Sequence, residues 1–245
     1  MNTVLLIHGF PFDSAMWRHQ ISGLQWQSFA PDLPGLGDST ELGSADNYSM
    51  EAYATALLEI LDEFKLEQVV ACGLSMGGYV IFEMLRRYPE RIGAAVLCNT
   101  KAPGDTPEAK RGRDALAGKA LADGIGAVAG ELVPKLLARE TQEKRAEVVR
   151  EVTEMILRQP VGGTVGALRA LRERPDSTPL LPRIQVPVLV IAGDDDQITP
   201  AAGMEEMARA IPNAKFVRLE AAGHLSPLEQ PAAFNAAVND FLAQL

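Results

Sequence analysis

A serine enclosed by glycines, Gly73-Leu74-Ser75-Met76-Gly77, stands where an apolar run gives way to a helical pattern. A hydroxyl carried on such a strand-to-helix turn is presented for nucleophilic attack, and the turn closes only if its flanking positions are nearly free of side chain. Gly73 and Gly77 meet that need, and Gly78 lets the following helix approach the sheet. A serine hydroxyl is a weak nucleophile until a base takes its proton, and the base needs a carboxylate to orient it. The chain has three histidines. His8 ends the first apolar run and His19 falls in a helical stretch, whereas His224, in Ala222-Gly223-His224-Leu225-Ser226, lies in a loop between the last strand and the last helix. His224 is therefore the candidate base. The acid must come from Asp194-Asp195-Asp196, which follow the strand Val188–Ala192. Three adjacent carboxylates cannot all face one imidazole, and like charges this close penalise one another. Spacing to Thr199-Pro200 selects Asp196, with Asp195 as the alternative. The negative oxygen of a tetrahedral intermediate needs preorganised N–H donors. Two backbone groups are expected to supply them: Met76, next to Ser75, and Phe10, in the loop His8-Gly9-Phe10-Pro11 after the first strand.

These residues need a scaffold that brings four separate loops to one edge. Short β-rich runs alternate with helical patterns along most of the chain, which is the signature of a parallel sheet flanked by helices. Strands are expected at Val4–Ile7, Ser28–Asp32, Gln68–Cys72, Ala94–Cys98, Val186–Ala192 and Lys215–Leu219. Between them, helices are expected at Met16–Gly23, Met50–Phe64 with Ser49 as its N-cap, Met76–Tyr88, Ala201–Ile211 and Ala232–Leu242.

Residues 101–180 break the alternation with helical patterns alone: Pro107–Leu121, Ile125–Ala138, Gln142–Arg158 and Thr164–Glu173. This segment reads as an all-helical cap inserted into a core made of residues 1–100 and 181–245. It holds 14 Lys+Arg and 12 Asp+Glu, a balance of +2, against −11 for the remainder; this reads first as solvated helix faces, and alternatively as a cap that mildly favours an anionic substrate. In its third helix Val148, Val152, Met155 and Ile156 recur at helical spacing and must bury against something. Met155, with a flexible side chain suited to an adaptable wall, is the candidate contact in an apolar acyl pocket.

With these segments in place the chain resembles the α/β-hydrolase fold family over nearly its whole length. The oxyanion loop His8–Pro11, the turn-rich Asp32-Leu33-Pro34-Gly35-Leu36-Gly37-Asp38-Ser39, the elbow Gly73–Gly78, the acid loop Gly193–Pro200 and Gly223-His224 followed by Glu229-Gln230-Pro231 carry the likeness. Within the family, Cys72–Gly78, Val96-Leu97-Cys98-Asn99-Thr100 and Glu229–Phe234 are similar to 3-oxoadipate enol-lactonases and related small esterases, although His8-Gly9-Phe10-Pro11 departs from their oxyanion loop. The chain starts directly at the first strand, so a mostly parallel sheet of six strands is expected rather than the family's eight. The resemblance implies cleavage of a carboxylic ester or lactone through an acyl-enzyme, without metal or cofactor. Ser75 excludes the haloalkane dehalogenase and epoxide hydrolase branches, which need aspartate there. Tyr79 replaces the arginine that menaquinone-pathway lyases carry after the elbow glycines. Cofactor-free perhydrolases share the whole triad, and a ligand receptor could retain it.

Composition sets outer limits. A formal charge of −9 argues against nucleic acid and anionic membrane partners. No run of 18 apolar residues is present, and the first seven residues lack the basic start and cleavage site of a signal peptide. The two cysteines, Cys72 and Cys98, both lie in apolar strands and are read as buried free thiols, which points to the cytoplasm, and no cysteine–histidine cluster has zinc spacing.

Overall fold

The computed structural model describes residues 2–245. Six strands form one sheet in the order β2-β1-β3-β4-β5-β6, and every neighbouring pair is parallel. They are β1 (Thr3–Ile7), β2 (Gln27–Phe29), β3 (Val69–Leu74), β4 (Ile92–Cys98), β5 (Val188–Gly193) and β6 (Ala214–Leu219). Parallel neighbours cannot be joined by tight hairpins, so each connection must cross a face of the sheet and covers it as it does so. That is why β3 and β5 are unbroken apolar runs buried at every position, while the edge strands β2 and β6 are partly exposed. The sheet is wholly parallel, and β2 is shorter and earlier than the expected Ser28–Asp32.

The helices outside the insertion are α1 (Arg18–Gly23), α2 (Met50–Glu63) and α3 (Met76–Arg87), with α9, α10 and α11 described below. Ser49 caps α2 by accepting the Ala52 N–H at 3.0 Å. Between β4 and β5 the described residues form no strand. Five α-helices occupy this stretch, α4 (Pro107–Asp123), α5 (Ile125–Leu136), α6 (Arg139–Lys144), α7 (Ala146–Leu157) and α8 (Val161–Glu173), followed by a 3-10 helix at Thr178–Arg183. Thr106 caps α4 through the Ala109 N–H, with Pro107 in the first turn. The helix expected over Gln142–Arg158 is instead two. Arg145 leaves helical geometry (φ −127°, ψ 64°), and its guanidinium reaches the Glu229 carbonyl at 2.5 Å, a tertiary contact that local periodicity does not register. After β5 come α9 (Ala201–Arg209), α10 (Ser226–Glu229) and α11 (Pro231–Leu242).

The inserted helices are fastened to loops at the carboxyl ends of the strands. Arg158 grips Asp13, beyond β1, with two hydrogen bonds of 2.6 Å. Gln159 donates to Asp13 and accepts the Gly37 N–H, both at 2.8 Å. At the start of α8 a side chain on Gly163 would collide with the Gly35 carbonyl, so only glycine lets this helix seat on the loop after β2. The stripe Val148, Val152, Met155 and Ile156 is fully buried where α7 packs on α5 and α6.

Candidate active site

Parallel register sets the site. Leu74 lies beside Cys98 and Cys98 beside Ile191, so the chain leaves β3, β4 and β5 at one level, and Ser75, Asn99 and the aspartate loop emerge together. Ser75 takes φ 52°, ψ −108°, a conformation that costs a residue with a Cβ about 1–3 kcal/mol and is kept only where its surroundings enforce it. The Ser75 N–H donates to Cys98 O at 2.9 Å, and the Thr100 hydroxyl donates to Ser75 O at 2.8 Å. A side chain on Gly77 would strike the Ile7 carbonyl, and one on Gly78 would enter Thr100. Gly73 is needed for the expected reason, since a side chain there would strike the Gly77 backbone within the turn, whereas Gly77 and Gly78 are needed for approach to β1 and to Thr100.

The loop after β1 lies directly against this turn. A Cβ built on Gly9 would sit 2.9 Å from Leu74 Cδ2 and 3.5 Å from Ser75 Cβ. Phe10, the next residue, is buried, and its N–H belongs to the tight turn in which Phe12 N–H donates to Gly9 O at 3.0 Å. Met76 opens α3, where the first N–H groups of a helix lack intrahelical acceptors and the macrodipole is positive. Phe10 and Met76 are thus both close in the chain to atoms that meet at the Ser75 turn.

His224 is buried, and its Nδ1 lies 2.8 Å from Asp196 Oδ2. Asp196 is the one aspartate of the three that reaches the imidazole. Asp194 is ion-paired with Arg218, and Asp195 is exposed. Oδ1 of Asp196 accepts the N–H groups of Ile198 and Thr199 at 2.8 and 3.0 Å, while Oδ2 also receives the Thr199 hydroxyl and the Asn99 amide. Burial works to raise the Asp196 pKa. The charge and hydrogen bond of His224, with those of Thr199 and Asn99, outweigh it and hold the carboxyl well below its ordinary range.

His8 plays a different part. Its Nε2 accepts the Leu33 N–H at 2.9 Å and its Nδ1 lies 3.0 Å from Gly9 O, which assigns the Nδ1–H tautomer. Burial lowers its pKa, so it stays neutral and ties the loop after β1 to the loop after β2. Met155 sits in the buried stripe of α7, and its carbonyl accepts the Gln159 amide at 2.8 Å.

Several residues of the site went unmarked by motif. Asn99 (φ 43°) donates to Asp196 Oδ2 at 2.8 Å and to Gly223 O at 3.2 Å, and its own carbonyl accepts the Ser226 hydroxyl at 2.6 Å. The signal for it was a polar residue ending an apolar strand one step from the level of Ser75. Glu229 is a buried carboxylate whose oxygens accept the Gly223 and Ala138 N–H groups, each at 2.8 Å. The His224 N–H donates to Leu136 O at 2.9 Å, so the imidazole loop is held partly by the inserted helices. Local spacing does not identify Glu229, because its partners lie 91 and 6 residues away.

A parallel sheet with a strained serine turn, a buried aspartate–histidine pair and a glycine loop beside the serine defines a fold class. The family model for the alpha/beta hydrolase fold matches residues 2–231, and the chain belongs to that family. It is similar to 3-oxoadipate enol-lactonase 2 of Acinetobacter baylyi, with 29% identity over 91% of this chain and 82% of that one. Among solved structures it superposes on a thermophilic esterase from Thermogutta terrifontis, malate bound, with a TM-score of 0.96 and 40% identity, covering 100% of this chain and 90% of the other. The enol-lactonase from Burkholderia xenovorans LB400 gives a TM-score of 0.90 and 30% identity, covering 98% and 91%. Hydrolase activity is the coarse function these relatives support, and no helix is long and apolar enough to cross a membrane among the described residues.

Proposed function

We propose that the protein is a serine hydrolase that cleaves a small carboxylic ester or lactone through an acyl-enzyme. The 2.8 Å contact between His224 and Asp196, made at the level where the strained turn presents Ser75, is the observation that carries this reading. Ser75 Oγ attacks the carbonyl carbon as His224 Nε2 takes the hydroxyl proton. Asp196 accepts from Nδ1–H, which orients the ring and stabilises its cationic form. The N–H groups of Met76 and Phe10 receive the oxyanion. The C–O bond then breaks as His224 protonates the leaving alkoxide, and water activated by the same imidazole releases the acid and restores Ser75. The residues at 101–180 act as a cap over this centre. This reading calls for no metal or cofactor.

The test is covalent as well as kinetic. A fluorophosphonate should add to wild type once, on the peptide containing Ser75, and Ser75→Ala should take up none while keeping its fold. Hydrolysis of p-nitrophenyl acetate by Ser75→Ala should fall by three or more orders of magnitude. Labelling elsewhere, or activity within tenfold of wild type, would overturn the assignment. A panel of lactones run beside open-chain esters separates the two substrate classes.

A further inference from the structure

The inserted helices leave and rejoin the core beside the acid loop, and a cavity of about 430 Å³ lies at that junction. Ile198, Thr199 and Pro200 form one wall, α9 contributes Met204 and Met207, and Leu181 closes the side. None of Ser75, Asp196 or His224 lines it. The volume falls within the range of small-molecule sites, and the lining is mainly apolar, as such sites are. Its cationic member is Lys101, a half-buried residue just beyond β4.

Lys101 lacks a counterion. The nearby carboxylate, Asp105, is buried and already engaged by Arg174 at 2.6 Å and Arg113 at 3.1 Å. Among the described residues no ion pair reaches the Lys101 ammonium. Burial and then the positive charge of Arg174 both disfavour that ammonium, so an anion placed beside it would relieve two costs together. Glu206, the acidic residue of the lining, is exposed to solvent on α9.

We propose that this cavity binds a short- to medium-chain aliphatic carboxylate, with the carboxylate paired to Lys101 and the chain laid against Leu181, Ile198, Met204 and Met207. Such a ligand would rest against both supports of the site described above. Thr100 and Thr199 share the cavity wall, and they donate respectively to Ser75 O and to Asp196. The inference stands on the cavity and the unpaired lysine, and does not depend on the chemistry of Ser75.

The probe is sodium octanoate, titrated into wild type by calorimetry, with hexanoate and uncharged octanol alongside. Saturable octanoate binding is expected, weakening about fourfold for each methylene removed. Octanol should bind at least tenfold more weakly than octanoate. Lys101→Met should erase that preference for the charged head and Lys101→Arg should retain it. Gly203 lines the cavity on α9, and a Cβ built there has open space around it, so Gly203→Leu should fold and fill the cavity. That variant should abolish octanoate binding while p-nitrophenyl acetate hydrolysis persists, which also reports that it is folded. Octanoate binding unchanged in both Lys101→Met and Gly203→Leu would place the ligand elsewhere and overturn the proposal. So would the absence of saturable binding by wild type up to about 10 mM.

Discussion

The Asn99 amide donates to Oδ2 of Asp196 at 2.8 Å, the same oxygen that faces His224 Nδ1 at 2.8 Å. The carboxylate and the Gly223 carbonyl, 3.2 Å from Asn99 Nδ2, can only accept, which settles which end of the amide points at the aspartate and leaves Oδ1 to accept the Ser226 hydroxyl at 2.6 Å. Asn99 is therefore a positioning residue: it sets the rotation of the carboxylate that in turn orients the imidazole. Because position 99 has φ 43°, glycine is the substitution that removes the amide without straining the backbone. Asn99→Gly should lower kcat for p-nitrophenyl acetate by ten- to a hundredfold, the weight of one hydrogen bond to a charged group, with KM nearly unchanged. A change in KM alone would show that Asn99 shapes the pocket rather than the acid.

The three aspartates allow a sharper comparison. Asp196→Asn replaces an acceptor by an amide that cannot hold the productive tautomer and should cut kcat by about 10⁴. Asp195 is exposed, so Asp195→Asn should stay within about threefold of wild type. The two kcat values measured in one preparation decide it, and a reversed ranking would assign the acid to Asp195.

Two buried carboxylates should give stability opposite slopes with pH. The Asp196 pKa is depressed in the folded state, so below about pH 5 the unfolded chain binds the proton first and the Asp196 contribution is lost as pH falls. The Glu229 pKa is raised by burial, against the hydrogen bonds it accepts from Thr141, Ala138 and Gly223. The folded state then binds the proton first, and its contribution declines as pH rises above about 4.3. In urea unfolding, the deficit of Asp196→Asn relative to wild type should shrink from pH 6 to pH 3, and that of Glu229→Gln should shrink from pH 5 to pH 8. Parallel slopes for the two variants would contradict both assignments.

Met155 is buried in the α7 stripe, as its spacing requires. With Met155 as a contact of the acyl chain, Met155→Ala should lower kcat/KM for octanoate esters while leaving acetate esters nearly unchanged. A uniform change across acetate, butyrate and octanoate esters, with a loss of stability of about 2–5 kcal/mol, would show that the residue serves packing alone.

The sequence by itself determined the sheet's class and the elbow, because those depend on neighbours in the chain. Apolar runs at β3, β4 and β5 need burial on both faces, and Gly73 answers a clash with Gly77 within one turn, although Gly77 and Gly78 answer contacts with Ile7 of β1 and Thr100 beyond β4. It also named the single aspartate that reaches His224, since the spacing to Thr199 is local and Thr199 is what clamps the carboxylate. What only the tertiary structure decided is everything carried across the sheet or into the inserted helices. Asn99 meets Asp196 across 97 positions of sequence, and Glu229 joins Ala138 to Gly223 across 91 and 6. The helix expected over Gln142–Arg158 breaks at Arg145, whose side chain reaches the Glu229 carbonyl. A hydrogen bond of this kind depends on where two loops arrive, and arrival is set by strand register and helix docking, which no local periodicity encodes.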